Sequence, residues 1–492
     1  MPRHLPVRTT AGPVIADPRV HELSNRRKAG VLVICCTALL LVGIDITIVN
    51  VALPSIGRSL HSPVSGLQWT VDSYTLVMGS FLILSGSTAD QVGRRRVFVL
   101  GMATFALGSL LCSLAPNLPS LAAFRMLQAV GGSMLNPVAL SIVTNTFTDP
   151  RQRAQAIGIW GSVFGISIAL GPVLGGVLVG SAGWRSIFWI NVPVALVGIA
   201  LTLRFVPESP ARRVRSFDPV GQVLIVAFLA ALTYGIIEAP SGGWTSPRIV
   251  TAFVVAGVAL AGLGLYEPRR AEPLINLRFF RSPPFSGAVA ISMAVAVSLG
   301  GFLFLNTLYL QDSHGLSALQ AGLDTLPLAL TAVACAPLSG RVVARRGPRL
   351  PALVVGIGLA SGGLVLTQVT ATTPFAWLFA AYVALGIAIG TVNAPITTAA
   401  VSGMPRDQAG VAAGITSTVR QVGQTLGVAV LGAIVASSVN DHAAVDLAIA
   451  AHAGWWILVG CGVVVFGLSL ASTSTRALAA GRRVIAELDP ST

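Results

Sequence analysis

Charged residues are scarce in this chain. Only 10% of its 492 residues are Asp, Glu, Lys or Arg, whereas 54% are hydrophobic, and the mean hydropathy is +0.79. Soluble domains carry about a quarter charged residues. The composition therefore excludes a disordered protein and a coiled coil, and it argues against a multidomain cytosolic enzyme. A polytopic membrane protein is the class that remains.

Cysteine and the motifs of catalysis are also sparse. The five cysteines all lie inside apolar runs without metal-ligand spacing, so we interpret them as small buried hydrophobic residues. The chain has no Walker A motif, no His/Cys metal cluster and no Ser/His/Asp arrangement. Most loops between apolar runs are too short to hold an active site. We therefore predict that the protein is not an enzyme and binds no metal or other cofactor.

Fourteen apolar stretches are long enough to cross a bilayer, since a spanning helix needs about 20 residues. They run over 30–54, 67–89, 97–115, 119–143, 154–180, 184–204, 218–239, 248–266, 284–310, 318–343, 350–370, 374–400, 409–437 and 452–471. The first stretch is too long for the core of a signal peptide. We expect residues 1–28 to be a polar tail and the chain beyond residue 474 to fray.

The net charge of +14 is explained by topology. Of the 32 basic residues, 27 fall in segments on the side of the two termini, three fall on the opposite side and two lie within spans. Positive charge accumulates on the cytoplasmic side of membrane proteins. We therefore predict that both termini are cytoplasmic and that the protein contacts a lipid bilayer and no nucleic acid.

An internal repeat divides the chain. Gly86 and Gly93 after the second span recur 254 positions later as Gly340 and Gly347 after the tenth, and the segment before span five recurs before span thirteen with a similar offset. Chance similarity of Gly/Arg-rich loops is the alternative. Two related halves favour an all-α fold of two six-helix bundles joined by two extra spans. The predicted segments are 1–28, 29–207, 208–270, 271–473 and 474–492.

Two ionisable residues within the spans stand out because a charge at mid-membrane costs about 2.5–3.5 kcal/mol. Asp45 lies in the first span and Arg125 in the fourth, at similar depths, so the two side chains can pair. Desolvation favours the protonated carboxyl group, whereas a neighbouring arginine favours the carboxylate. Such a balance is typical of a proton switch; a permanent structural ion pair is the alternative.

Other polar residues are candidates for the lining of a central cavity. Asp324 lies near the outer end of span ten and Arg420 near the middle of span thirteen. We interpret Asp72 and Glu238 as interfacial because they lie close to span ends. Further candidates are Gln128, Asn136 and Asn393.

Several motifs together indicate a family. They are the run 45–54, the loop residues Gly86, Asp90, Gly93, Arg94 and Arg95, the run 125–128, the span-five residues Gly165, Gly171, Pro172, Gly175 and Gly176, and the runs 183–193 and 420–429. The chain resembles major facilitator superfamily transporters of the fourteen-span drug:proton antiporter subfamily. It departs from the usual motifs at Thr88, Gln91 and Ala129.

The resemblance implies export of hydrophobic or cationic drugs or natural products from a bacterium, across its plasma membrane and driven by the proton motive force. It assigns proton coupling to Asp45 and Arg125, a cytoplasmic latch to Asp90 and Arg94, and an outer gate to the span-five motif. We expect the protein to act as a monomer. The open alternatives are a metabolite importer or facilitator, and a membrane sensor that transports nothing.

Overall fold

The structure, a computed structural model, describes residues 24–208, 218–270, 277–370, 372–402, 409–441 and 447–488. Every regular element in these ranges is helical. The helices are α1 Asn25–Leu60, α2 Val64–Val92, α3 Arg94–Ser113, α4 Leu118–Thr146, α5 Pro150–Ala182, α6 Ser186–Trp189, α7 Asn191–Phe205, α8 Pro219–Gly242, α9 Pro247–Tyr266, α10 Pro283–Leu308, α11 Ala318–Asp324, α12 Leu326–Arg346, α13 Arg349–Leu366, α14 Phe375–Ser402, α15 Ala409–Asp441, α16 Leu447–Ser472 and α17 Thr475–Leu488. The prediction of an all-α polytopic membrane protein is confirmed.

Thirteen helical segments in the described ranges are long and apolar enough to cross a membrane. The remaining predicted span is α2, which has 29 residues but carries Gln68, Thr70, Asp72 and Ser73 in its first half. These polar residues lower its hydropathy. Helix α2 packs between α4 and α15, so protein surrounds its polar groups and a lipid-compatible surface is not required there.

Two predicted spans are interrupted. Span six breaks at Ile190 between α6 and α7, and span ten breaks at Thr325 between α11 and α12. A proline follows each break, Pro193 in the first case and Pro327 in the second. A proline ring clashes with the carbonyl group four residues before it and has no amide hydrogen to donate. The helix therefore restarts just ahead of each proline.

The repeat is visible in the backbone. Following the predicted orientation, we refer to the helix ends at His61 and Gly315 as the outer ends and to those at Gly93 and Gly347 as the inner ends. His61 has φ 50° and Gly315 has φ 70°, while Gly93 has φ 113° and Gly347 has φ 81°. Each pair is separated by 254 positions. Equivalent positions thus turn the chain with a positive φ in both halves.

Helix packing follows one pattern in two groups. In the N-terminal bundle, α1 to α7, α1 packs against α4, α5 and α7, α2 against α4, and α3 against α4 and α7. In the C-terminal bundle, α10 to α16, α10 packs against α14, α15 and α16, α12 against α14, and α13 against α14 and α16. Helices α8 and α9 pack on each other, and α8 also lies against α2 and α15.

The termini differ from expectation. The predicted fraying beyond residue 474 is wrong for α17, in which Ala477 is buried and Gly481 lies against Pro284 of α10. This tertiary contact stabilises a segment whose polar composition predicted no order. Residues 25–28, assigned to the N-terminal tail, form the first turn of α1, where the Ser24 hydroxyl accepts a hydrogen bond from the Arg27 amide.

Candidate functional site

Asp45 and Arg125 form a buried ion pair inside the N-terminal bundle. Asp45 lies on α1 and Arg125 on α4, and the Arg125 Nη1 atom is 2.6 Å from Asp45 Oδ2. Their side chains are 0% and 1% exposed. The pairing expected from their similar depths is therefore present, and it lies within one bundle rather than between the two.

A small hydrogen-bond network holds the Asp45 carboxylate. Its Oδ1 atom accepts bonds from Gln128 Nε2 at 2.8 Å and from Asn191 Nδ2 at 3.0 Å. Gln128 Nε2 also donates to the Ser109 hydroxyl at 2.6 Å. With the arginine, three donors converge on one carboxylate, which offsets its removal from water. Gln128, predicted as a cavity residue, belongs to this buried network.

Asn191 and Ser109 were not predicted as site residues. Asn191 is the first residue of α7, and the break at Ile190 turns its side chain towards α1 and α3. The available signal was an asparagine two residues before Pro193 in an otherwise apolar span. Ser109 carried no such signal, because single serines are common in membrane helices.

The Arg125 side chain has further partners. Its Nε atom donates to the Thr70 carbonyl oxygen at 3.2 Å, and Nη1 donates to Gln128 Oε1 at 2.7 Å. The guanidinium carbon lies 4.1 Å from the centre of the Tyr74 ring. These contacts hold the Arg125 guanidinium group through partners other than Asp45.

The span-five motif packs α5 closely against α1 beside the ion pair. A Cβ atom at Gly171 would collide with the Thr47 hydroxyl, two residues from Asp45, and one at Gly175 would lie 2.9 Å from Ile48 Cγ1. The Thr47 hydroxyl bonds to the Ser167 carbonyl oxygen at 3.3 Å. Glycine permits this close approach of the two helices. A movement of α1 at Asp45 would therefore displace α5 directly.

The same α5 motif contacts the C-terminal bundle. A Cβ atom at Gly176 would lie 2.7 Å from the Ala318 carbonyl oxygen, and one at Gly322 would meet the Pro172 carbonyl oxygen. Nearer the inner end of α5, a Cβ atom at Gly165 would lie 3.4 Å from Val333 Cγ2 of α12. We refer to the contact of Pro172 and Gly176 with α11 as the apolar seam.

Helices α2 and α15 form a second contact between the bundles. Gln68 Nε2 donates to the carbonyl oxygens of Val428 at 3.2 Å and Ala429 at 2.8 Å. The hydroxyl groups of Thr75 and Thr425 lie 2.7 Å apart. We refer to this contact as the polar seam. The contacts that form the two seams were not predicted, although Val428 and Ala429 lie in the motif run 420–429, because contacts between distant helices leave no local pattern.

Asp72, interpreted as interfacial from its depth, is enclosed by protein. Asp72 lies in the α2 stretch between Gln68 and Thr75 and is 0% exposed. Glu238 does lie near the outer end of α8, where its Oε1 atom accepts a 2.8 Å hydrogen bond from Trp69 Nε1. Burial of Asp72 follows from the packing of α15 across the first half of α2.

The remaining cavity candidates lie apart from the ion pair. Arg420 Nη1 is 3.5 Å from Asn393 Oδ1, and Asn393 is exposed. Asn136 on α4 is half-buried. Asp324 ends α11 and is half-buried. These positions put polar groups on both bundles, with Arg420 contacting Asn393 in the C-terminal bundle.

The loop between α2 and α3 has an acidic partner that was not predicted. Gly93 has φ 113° and lies against Glu208, whose Oε1 atom accepts a 3.1 Å hydrogen bond from the Arg95 amide. Glu208 Oε2 is also 3.8 Å from Arg96 Nε. The proposed latch partner of Arg94 is Asp90, whose side chain lies outside the described part of the structure. Gly86 lies near Pro137 of α4.

Comparison with known proteins identifies the family. The family model of the Major Facilitator Superfamily matches residues 35–428. The chain belongs to the Major Facilitator Superfamily. It is therefore a multi-pass membrane transporter. Residues 35–428 include the Asp45–Arg125 pair, the apolar seam, the loop at Gly93 and the polar seam up to Val428.

Several curated members of the superfamily are similar over most of their length. The chain is 36% identical to the multidrug resistance protein Stp of Mycobacterium tuberculosis, over 84% of this chain and 77% of that protein. It is 37% identical to the tetracenomycin C resistance and export protein of Streptomyces glaucescens, over 83% and 76%. It is 35% identical to the methylenomycin A resistance protein of Streptomyces coelicolor, over 83% and 86%.

A solved superfamily structure shares the fold. A bacterial homologue of the human lysosomal transporter Spinster, in an inward-facing and unoccupied conformation, aligns with a TM-score of 0.65 at 19% identity. The alignment covers 94% of this chain and 99% of that one. The many apolar helices and the bacterial relatives place the protein in a bacterial plasma membrane as a multi-pass protein.

Proposed function

We propose that this protein exports drugs or other small organic molecules in exchange for protons. Relatives are named for multidrug resistance, for resistance to single antibiotics and for export. These names support the direction of transport and the class of substrate. The single structural observation that carries the proton coupling is the buried Asp45–Arg125 pair. Thr47, two residues from Asp45 on α1, abuts Gly171 of the glycine motif of α5.

In the proposed mechanism, a proton on Asp45 neutralises the carboxylate and weakens its bond to Arg125. Helix α1 then relaxes against α5, where Thr47 abuts Gly171. Helix α5 also bears Pro172 and Gly176 of the apolar seam, so the change at Asp45 reaches the contact between the bundles. Rocking of the two bundles would alternately expose the space between them.

The orientation, domain division and assembly are parts of the same proposal. Arginine-rich inner loops favour cytoplasmic termini. The repeated helix packing supports six-helix bundles over 29–207 and 271–473 with linking helices over 208–270. We propose that the monomer is the working unit, since both seams lie between the two bundles of a single chain. We also propose that the proton motive force is the energy source.

The proposed substrate is hydrophobic or cationic. Asn136, Asn393, Arg420 and Asp324 would supply a few polar contacts, and the half-buried carboxyl group of Asp324 would favour a positively charged compound. Competition between cationic and neutral compounds of similar size tests this preference: replacing Asp324 with Asn should weaken export of the cation alone.

Everted membrane vesicles test the function directly. We expect vesicles energised by respiration to accumulate ethidium when they contain the protein, and we expect Asp45→Asn to abolish the accumulation. The matched control is Asp149→Asn, which changes an exposed helix-capping carboxyl group to an amide that caps equally well.

Three outcomes would contradict the proposal. Equal accumulation by Asp45→Asn and the unaltered protein would remove the coupling assignment. Ethidium movement in the opposite direction would favour an importer. If purified protein in proteoliposomes moved none of a panel of compounds chosen from the susceptibility of a deletion strain, a sensor would be favoured instead.

A further inference from the structure

The two seams that join the bundles at their outer ends are related by the repeat but differ in chemistry. Gln68 and Gly322 are 254 positions apart, and Pro172 and Val428 are 256 positions apart. Gly322 faces Pro172 in the apolar seam, as Gln68 faces Val428 in the polar seam. The apolar seam is a glycine contact of backbones, whereas the polar seam consists of amide and hydroxyl groups.

Asp72 lies on the face of α2 that forms the polar seam. Gln68, Asp72 and Thr75 are spaced four and three residues apart, which puts them on one side of a helix. The flanking residues both bond to α15. Asp72 is 0% exposed, and neither of its carboxyl oxygens has a hydrogen-bond partner among the described residues. This environment suits a neutral carboxyl group and opposes a carboxylate.

The charged and titratable groups of the helices packed against α2 are engaged elsewhere. Arg125 of α4 bonds to Asp45 of α1 and reaches α2 only at the Thr70 carbonyl oxygen and the Tyr74 ring. Glu238 of α8 accepts from Trp69. Arg420 of α15 contacts Asn393. Helix α3 contributes Cys112 in its outer half and Arg94, Arg95 and Arg96 at its inner end.

We propose that Asp72 is a proton-binding site whose protonated form holds the polar seam closed. Loss of the proton would put a negative charge between α2 and α15, where the seam residues named above include no cation to pair with it. Opening the seam would hydrate the carboxylate. The inference rests on the proposed proton-driven export and adds a second proton site to it, on the other side of α2 from Asp45.

Protonation of Asp72 would set the order in which the outer gate opens and closes. When the seam is open, Asp72 faces the outer aqueous phase and takes up a proton from it. The neutral side chain then permits α2 and α15 to close. A proton drawn from outside would thus be trapped as the gate shuts, which is the order of events that exchange of an outgoing substrate for incoming protons requires.

Distance measurements between spin labels test the site without a transport substrate. Labels would be placed by Ser65→Cys on α2 and Ser437→Cys on α15, in the full chain with its five native cysteines replaced by alanine. In the otherwise unaltered protein, raising the pH from about 5 to about 9 should reduce the short-distance population roughly by half or more. Asp72→Asn should keep the short distance throughout.

Two further variants distinguish the loss of a titratable carboxyl group from a general disruption of the polar seam. Asp72→Glu retains a titratable group and should retain the pH response. Glu238→Gln removes a nearby carboxyl group while keeping an acceptor for Trp69, and it should also respond normally. A flat pH profile in the protein with native Asp72 would overturn the inference, as would an Asp72→Asn profile that falls like that of Glu238→Gln.

The outcome is separable from that of the proposed function. If vesicles show no proton-driven export but the labelled protein still responds to pH through Asp72, the gate assignment stands and the export proposal fails. If export is lost in Asp45→Asn and the distance shows no dependence on Asp72, the export proposal stands and the second proton site is excluded.

Discussion

Arg58 at the outer end of α1 pairs with Asp312 in the π-helical turn after α10, with Nη1 and Oδ1 3.2 Å apart. The two residues are 254 positions apart, the offset of the repeat, so they occupy equivalent places in the two bundles. Equivalent places can touch only near the axis that relates the bundles. Gln311, next to Asp312, also donates to the Val51 carbonyl oxygen at 2.8 Å. The first helices of both bundles therefore meet at the outer end.

The Arg58–Asp312 pair is expected to contribute little by itself. Its side chains are 65% and 38% exposed, and exposed ion pairs are worth about 0.2–1 kcal/mol. A double-mutant cycle with Arg58→Ala and Asp312→Ala, read from thermal unfolding in detergent, should give a coupling in that range. A coupling several times larger would contradict this expectation and would show that the pair is shielded from solvent in the folded protein.

Gln68→Leu should loosen the polar seam. The substitution removes two hydrogen bonds to α15, each worth about 0.5–1.5 kcal/mol, so the ratio of closed to open protein should fall roughly 5-fold or more. The label pair on α2 and α15 described above measures this change. Gln152→Leu, on an exposed glutamine at the inner end of α5, is the control and should leave the distance unchanged.

Gly171→Ala should damage both stability and transport. The new methyl group would collide with Thr47 and push α5 away from α1, at a cost of about 1–3 kcal/mol. Thermal unfolding and vesicle transport are the measurements. Gly180→Ala in the same helix meets nothing within 4 Å and should behave normally. If both variants unfold alike, close packing at Gly171 is not what the motif provides.

Gly93→Ala should strain the turn between α2 and α3. Its φ of 113° is disfavoured for any residue with a Cβ atom, and that atom would also lie 2.6 Å from Glu208 Oε1. A cost of about 1–3 kcal/mol is expected. Gly158→Ala, which lies in open space within α5, should be neutral or slightly stabilising, because alanine favours helix. Unfolding temperatures of the two variants provide the comparison.

Part of the candidate site could be predicted from single residues. Asp45 and Arg125 stood out because charges are rare in apolar spans, and their depths followed from counting residues along helices. Gln128 was predicted to line a cavity and Asp72 was interpreted as interfacial, and neither pattern indicated the groups that these side chains contact. A helix position gives depth, whereas the rotation of the helix and the identity of its neighbours depend on packing.

The sequence by itself determined that the chain is helical and spans a membrane, because bilayer thickness and backbone hydrogen bonding leave few other solutions for such apolar stretches. It also determined the repeat, which the backbone turns at His61 and Gly315 reproduce. Only the tertiary structure decided that Asn191 and Ser109 complete the ion-pair network, that α17 is ordered, and that one seam is polar and the other apolar. These features depend on contacts between residues that are dozens to hundreds of positions apart, for which no local pattern exists.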